Sequence, residues 1–399
     1  MNDTHDTHPV RDMHPIKVAL VGAGGWGLQH ARIFAARPDV EFCAIVGRTT
    51  EKTRARAAQC GTRWYLDIGE MLERERPDLV SLCLPNQGHF DATLQVIEAG
   101  YPLLVEKPLV FDLGEADRLL AAAAVRDLLF AINFNHRYAR PVRMARQAIG
   151  EGRLGDIVFA TWRFGGEGTS DHPNANLIET QCHGFDMLEH LCGPITAVSA
   201  EMTNKTGRGY STLVLALRFA NGAVGSLVGS YDSSYAYQGT QLLEINGTAG
   251  RVVIEDTMRR YAFQPRGEET GEVWQAGFFN DDDRAFHRTF DTYMDALLVA
   301  FKAGQEPPVH ARAGRRALIL AEAAIAAYAS GRRISVEGGR LMSADARWQR
   351  DTTGAPPVSL VDRHHDADSA GSKRFLGSVR RVKGPMAGVA GMAYLYASG

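Results

Sequence analysis

Between Ile16 and Ala36 the chain passes through a strand, a glycine turn and a helix, and this succession constrains its fold more than any other stretch. Ile16–Val21 is an unbroken apolar run, Gly22-Ala23-Gly24-Gly25-Trp26-Gly27 follows, and Trp26–Ala36 has helical spacing. A continuous apolar run bounded by turn residues reads as a strand buried on both faces, the condition found in parallel sheets covered by helices. Glycines at 22, 24 and 27 let the backbone approach a pyrophosphate, whose charge meets the free N–H groups at the helix start. The glycine spacing alone is common; the strand before it and the helix after it give it meaning. Gly22, Gly24, Gly25, Trp26 and Gly27 are therefore candidate cofactor contacts.

The same rhythm continues. Val40–Val46, Leu79–Leu84, Leu103–Val105 and Leu128–Phe134 read as strands, with helical patterns at Thr50–Gln59, Phe90–Ala99 and Gly114–Ala124 between them. This predicts an α/β fold: a doubly wound, Rossmann-type parallel sheet over residues 15–136, preceded by a disordered tail, 1–14. Beyond it, Ile157–Phe164, Ala197–Met202, Thr212–Phe219, Val224–Tyr231 and Gln241–Ile245 are strand-like, and Asn221-Gly222 is a hairpin signal. Helical patterns at Ala285–Lys302 and Arg312–Ser330 follow. Residues 137–342 are thus expected to form an α+β domain with a large, mostly antiparallel open sheet, and 343–399 a poorly ordered extension.

At 399 residues two domains are the default, and 44 basic against 46 acidic residues leave no electrostatic footprint for nucleic acid. The cysteines, Cys43, Cys60, Cys83, Cys182 and Cys192, lack any Cys-x-x-Cys spacing and read as free thiols in a reducing compartment. Residues 1–15 have no apolar core of a secretory signal, and no apolar stretch is long enough for a membrane span. A cytoplasmic protein acting on a small molecule is expected.

A site for NAD usually offers a carboxylate about twenty residues after the glycines, to hold the ribose hydroxyls. Here the segment is Val46-Gly47-Arg48-Thr49-Thr50; Arg48 can pair with a 2′-phosphate and Thr49 can donate to it, which favours NADP over NAD. Leu84, Pro85, Asn86 and His89 follow a strand end, where open α/β sheets bind ligands, and are assigned to the nicotinamide half. Glu106-Lys107-Pro108 ends another apolar run, so Lys107 is placed for proton transfer beside the nucleotide, with Glu106 as a further cofactor contact.

Gly22–Gly27, Pro85-Asn86, Glu106-Lys107-Pro108 and Asn135-His136-Arg137-Tyr138 occur in an order that resembles the oxidoreductases related to glucose-fructose oxidoreductase and myo-inositol dehydrogenase, the Gfo/Idh/MocA family. The likeness spans about residues 15–340. It implies that the sheet domain binds substrate and forms a homodimer or homotetramer, that Lys107 touches nicotinamide ribose and the reacting hydroxyl, and that Lys107-Pro108 is often cis. The family's Asp-x-Gly-x-His element corresponds to Glu179-Thr180-Gln181-Cys182-His183, with Glu179 for the aspartate and Gln181 for the glycine. Glu179, His183, Asp186 and His190 recur at helical spacing, as one polar stripe facing the cleft.

The expected activity is NAD(P)-dependent hydride transfer at a secondary hydroxyl of a sugar, sugar derivative or inositol. Lys107 and His183 share the proton relay, Glu179 orients one of them, and Arg137 and Tyr138 join these three in holding substrate. No metal is expected. The alternatives are an NAD-dependent glycosidase or eliminase with recycled cofactor, and a non-catalytic cofactor-sensing protein.

Overall fold

The computed structural model describes residues 14–85, 88–168, 171–337 and the backbone of 340–342. Residues 1–13, the extension 343–399 and Asn86 lie outside the described residues.

Six strands, β1 (Ile16–Val21), β2 (Val40–Val46), β3 (Arg63–Tyr65), β4 (Leu79–Leu82), β5 (Leu103–Val105) and β6 (Phe130–Ile132), form a parallel sheet in the order β3-β2-β1-β4-β5-β6. Helices α1 (Gly25–Ala36), α2 (Thr50–Cys60), α3 (Ile68–Glu75), α4 (His89–Glu98) and α5 (Leu113–Val125) make the crossovers. The order reverses between β1 and β4, which opens a crevice at the carboxyl ends of the strands. β4, β5 and β6 are buried at every position, as their unbroken apolar runs require. β3 and α3 escape the apolar pattern because β3 has three residues and α3 is rich in charge. The α3 start is nevertheless written in the sequence: Asp67 accepts a hydrogen bond from the Glu70 N–H, half of a capping box.

The second sheet has ten strands: β7 (Ile157–Gly165), β8 (Ile195–Thr203), β9 (Thr212–Phe219), β10 (Val224–Ser230), β11 (Gln241–Gly247), β12 (Gly250–Glu255), β13 (Arg260–Pro265), β14 (Glu272–Gln275), β15 (Ile334–Glu337) and β16 (Arg340–Met342). Their order is β14-β13-β12-β11-β7-β10-β9-β8-β15-β16, antiparallel throughout except for the parallel pair β7 and β10. Gly222, at φ +88°, turns the chain between β9 and β10 where the Asn-Gly pair signals a hairpin. Alternation sets the faces: Leu213, Leu215 and Leu217 of β9 are buried, while Val214 between them is exposed. The buried face lies under α6 (Arg140–Gly150), α7 (Cys182–Cys192) and α10 (Arg312–Ser330). A Cβ at Gly184 would come within 2.5 Å of the Trp162 indole, so this glycine lets α7 press against β7.

After β14 the chain returns to the first sheet, through a short helix α8 (Asp281–Arg284) and then α9 (Arg288–Lys302), before β15 and β16 rejoin the second. The Ile132 N–H donates to the Val309 carbonyl at 3.0 Å and the Ala311 N–H to the Phe130 carbonyl at 2.9 Å, so the β6 edge does not face water unpaired. The Tyr293 hydroxyl of α9 donates to the Ile132 carbonyl at 2.8 Å, and Arg32 and Arg37 on or beside α1 pair with Asp291 and Asp295 of α9. The first sheet is therefore completed by residues 170 or so positions downstream in sequence.

Candidate active site

At the switch point, Gly22 adopts φ +126°, and a Cβ there would lie 2.1 Å from the Cys83 carbonyl oxygen. A Cβ at Gly27 would lie 2.0 Å from the Gly22 carbonyl oxygen, so both positions require glycine for backbone packing. Gly24 caps α1 with no side-chain hydrogen bond, the first turn has no acid, and a Cβ at Gly25 would meet no heavy atom within 4 Å. Free N–H groups facing open space suit a pyrophosphate. Trp26 is turned aside from this role: it stacks on Phe290 of α9, ring centroids 5.6 Å apart. Arg48 and Thr49 are exposed at the end of β2.

His89 is buried, and its Nε2–H donates to the Leu84 carbonyl at 2.7 Å. Burial lowers its pKa against the opposing pull of backbone carbonyls. Its observed contact thus fixes the turn that carries half-buried Leu84 and Pro85.

Glu106 likewise points inward, 5% exposed. Its Oε1 accepts from His30 Nε2 at 2.8 Å and from the Asn133 amide at 2.6 Å, and the Ser81 hydroxyl meets His30 Nδ1 at 2.8 Å. Burial, the strongest influence, acts to raise the Glu106 pKa, yet His30, Asn133 and Lys107 together hold it below the ordinary carboxylate value. His30, Cys83 and Glu106 have ligand-like spacing, but both His30 nitrogens already have partners. The Glu106 carboxylate, expected among the cofactor contacts, has its hydrogen bonds to His30 and Asn133 and anchors the strand end. His30 recurs with Gly27, Ala31 and Phe34 on the buried face of α1, a spacing that marks it as a core position and carries no sign of its bond to Glu106.

Lys107, joined to Pro108 by a cis peptide, leaves this anchor and donates from Nζ to the Glu179 carbonyl at 3.2 Å. Glu179 lies in a π-helical turn, Asn176–Thr180, in which the Gln181 N–H donates to the Asn176 carbonyl at 2.9 Å. The wider turn takes Glu179 out of the 3.6-residue register, so the expected single stripe does not form. Both faces of α7 are buried near its start, and each polar member has its own surroundings. Asp186 receives the Arg137 guanidinium through two bonds, Nε at 2.8 Å, which occupies the arginine expected to hold substrate. Tyr138, also expected at substrate, packs against Tyr293 with centroids 5.0 Å apart. His190 carries a pKa lowered to about 4 by burial and by the charges of Arg137 and Arg146. Gln181 accepts from the Trp162 indole at 3.1 Å and sits where a Cβ on Gly229 would be, which explains how a large residue fits at the family's glycine position.

His183 lies within range of the Lys107 charge and stacks in parallel on His136, centroids 3.9 Å apart and 6° between planes. Burial, then His136 and Lys107, push the His183 pKa well below its ordinary value; burial and Lys107 bring His136 down to about 3. Two neutral imidazoles thus lie near the Lys107 side chain. Lys107, Glu179 and His183 lie near one another, and His136, which no periodicity links to His183, stacks on its ring.

Residues 16–134 match the oxidoreductase family with an NAD-binding Rossmann fold, and residues 142–253 match the GFO/IDH/MocA C-terminal domain. Myo-inositol 2-dehydrogenase of Thermotoga maritima is 24% identical over 339 residues, covering 81% of this chain and 99% of its own. D-glucoside 3-dehydrogenase of Escherichia coli is 32% identical over 151 residues, 37% of this chain and 43% of its own. A levoglucosan dehydrogenase structure with NADH superposes with a TM-score of 0.72 at 19% identity, covering 81% of this chain and 99% of that one. With both domains matched across more than half its length, this chain belongs to the GFO/IDH/MocA family of oxidoreductases.

Proposed function

We propose that this oxidoreductase transfers a hydride between a nicotinamide dinucleotide and a secondary hydroxyl or ketone of a sugar, sugar derivative or inositol. The observation that carries the reading is Lys107, held on the Glu179 carbonyl beside neutral His183 at the carboxyl edge of the parallel sheet. The open, uncapped start of α1 and the close-packed glycines beneath it fit a dinucleotide, with Gly22, Gly24, Gly25 and Gly27 around the pyrophosphate. When bound, the nicotinamide supplies hydride acceptance or donation. As the free amine Lys107 takes the proton of the substrate hydroxyl while the carbon is oxidised, and as the ammonium it returns a proton to that oxygen when the ketone is reduced; His183 hydrogen-bonds the same oxygen, and Glu179 fixes the lysine through its carbonyl. Burial of His183 keeps it neutral, so it can accept or donate at that oxygen without competing as a cation.

NADP is the favoured dinucleotide, on the exposed pair Arg48 and Thr49 at the β2 end and the absence of a carboxylate among residues 46–50. A homodimer or homotetramer would use the outer face of the large sheet, where Phe159, Val214 and Val224 are exposed. The free cysteines suit a cytoplasmic setting, and among the described residues no helix is long and apolar enough to cross a membrane. Reduction of NADP⁺ and NAD⁺ against inositols, aldoses and glycosides tests the reading; light scattering tests the assembly.

A further inference from the structure

An imidazole that serves as acid or base is ordinarily aimed by a hydrogen bond to its second nitrogen from a carboxylate or a carbonyl. Among the described residues none meets Nδ1 of His183, although the residue is 6% exposed and that nitrogen is buried. Asp186, one turn along the same helix, is taken by Arg137, and the Glu179 carbonyl receives Lys107 and the Cys182 thiol. What bounds the ring is aromatic. Phe134 meets it edge-on at 5.7 Å, and His136 covers its face at 3.9 Å.

His136 is itself well fixed. Its ring, 2% exposed, contacts Phe286 edge-on at 5.6 Å and Phe164 at 6.5 Å. Its backbone turn is pinned on both sides, by Asn135 donating to the Thr289 hydroxyl at 2.7 Å and by the Arg137–Asp186 pair. Its Nδ1 is also buried, with no hydrogen-bond partner among the described residues. Hydrogen bonds of an imidazole lie in the ring plane, so two parallel stacked rings cannot pass a proton to each other. The face of His136 is what His183 contacts.

We infer that His136 is a positioning residue whose ring face, in place of a hydrogen bond to Nδ1, sets the plane of His183 toward Lys107 and the substrate hydroxyl. The inference rests on the dehydrogenase reading for its kinetic consequence, and the stack can be examined without cofactor. A flat apolar ring should replace His136; a methyl group should not.

The test compares full-length wild type with His136→Ala and His136→Phe, each first shown to be folded by its thermal transition. In cofactor-free protein with isotope-labelled histidine, the His183 ring signals are identified by their loss in His183→Asn. His136→Ala should remove their stacking-induced shift and His136→Phe should retain one. With NADP⁺ and an active polyol, His136→Ala should lower kcat about ten-fold with dinucleotide KM unchanged, and His136→Phe should recover to within about three-fold of wild type. Unshifted His183 signals and wild-type kcat in His136→Ala overturn the inference, as does a His136→Phe enzyme as slow as His136→Ala. A wild type that shows the stacking shift and turns over no polyol instead sinks the dehydrogenase reading and, with it, the kinetic role of the stack.

Discussion

Replacing His136 with phenylalanine should make the protein less sensitive to acid. His136 is 2% exposed, its Nδ1 has no partner among the described residues, and burial with the nearby Lys107 charge brings its pKa from 6.5 to about 3. Because the folded pKa lies below the unfolded one, the unfolded chain binds the proton first. The stability tied to this group is therefore complete above pH 6.5 and is lost as pH falls toward 3. For one such histidine the unfolded state gains about 2 kcal/mol between pH 7 and pH 5, from RT ln(1 + 10^(pKa − pH)). Phenylalanine removes that contribution and leaves those of His183 and His190, which are also neutral by burial. Urea unfolding of both proteins at the two pH values gives the four free energies. The wild type should lose about 2 kcal/mol more than His136→Phe on acidification. Equal losses would show that His136 accepts a proton in the folded protein, and would refute the picture of a buried, neutral stacked pair.

Arg137→Leu leaves Asp186 buried without its cation, and should cost about 3–5 kcal/mol in urea unfolding; an unchanged midpoint would mean the pair does not form. His30→Leu orphans one of the bonds to Glu106, and should cost about 1–3 kcal/mol and lower turnover more than dinucleotide affinity, as separate calorimetric and kinetic assays would show. Gly22→Ala forces a Cβ to within 2.1 Å of the Cys83 carbonyl oxygen at a positive φ, so dinucleotide binding measured by fluorescence should be abolished or the yield of folded protein should collapse. Arg48→Asp should shift the ratio of kcat/KM for NADP⁺ over NAD⁺ by about ten-fold or more toward NAD⁺; an unmoved ratio removes Arg48 from the 2′-phosphate site.

The parallel sheet was readable because buried strands and glycine turns are local signals: β1, β2 and β5 fall at the residues their apolar runs mark. Elements that rely on partners were not. β12 and β13, whose short apolar runs are flanked by Arg251, Glu255 and Arg260, find their place by pairing with β11 and each other, and no sequence signal between Ile245 and Ala285 marks them as strands. At the site, Lys107 and His183 were legible from motif and spacing, whereas the destinations of neighbouring polar groups were not. Glu106 turns to His30, 76 residues away, and Arg137 turns to Asp186, 49 residues away. His136 stands within a recognised motif, yet its contact with His183 exists only once the first sheet and α7 are docked.

The central claim is that Lys107 performs the proton transfer that accompanies hydride transfer. The most direct measurement is the absorbance of reduced nicotinamide formed by the full chain with NADP⁺ or NAD⁺ and a panel of inositols, aldoses and glycosides, beside Lys107→Met with its dinucleotide affinity measured separately. The wild type should reduce dinucleotide with at least one polyol, and Lys107→Met should be at least about 10²-fold slower with affinity retained. Near-normal turnover in Lys107→Met would contradict it, as would a wild type that binds dinucleotide and reduces none with any member of the panel.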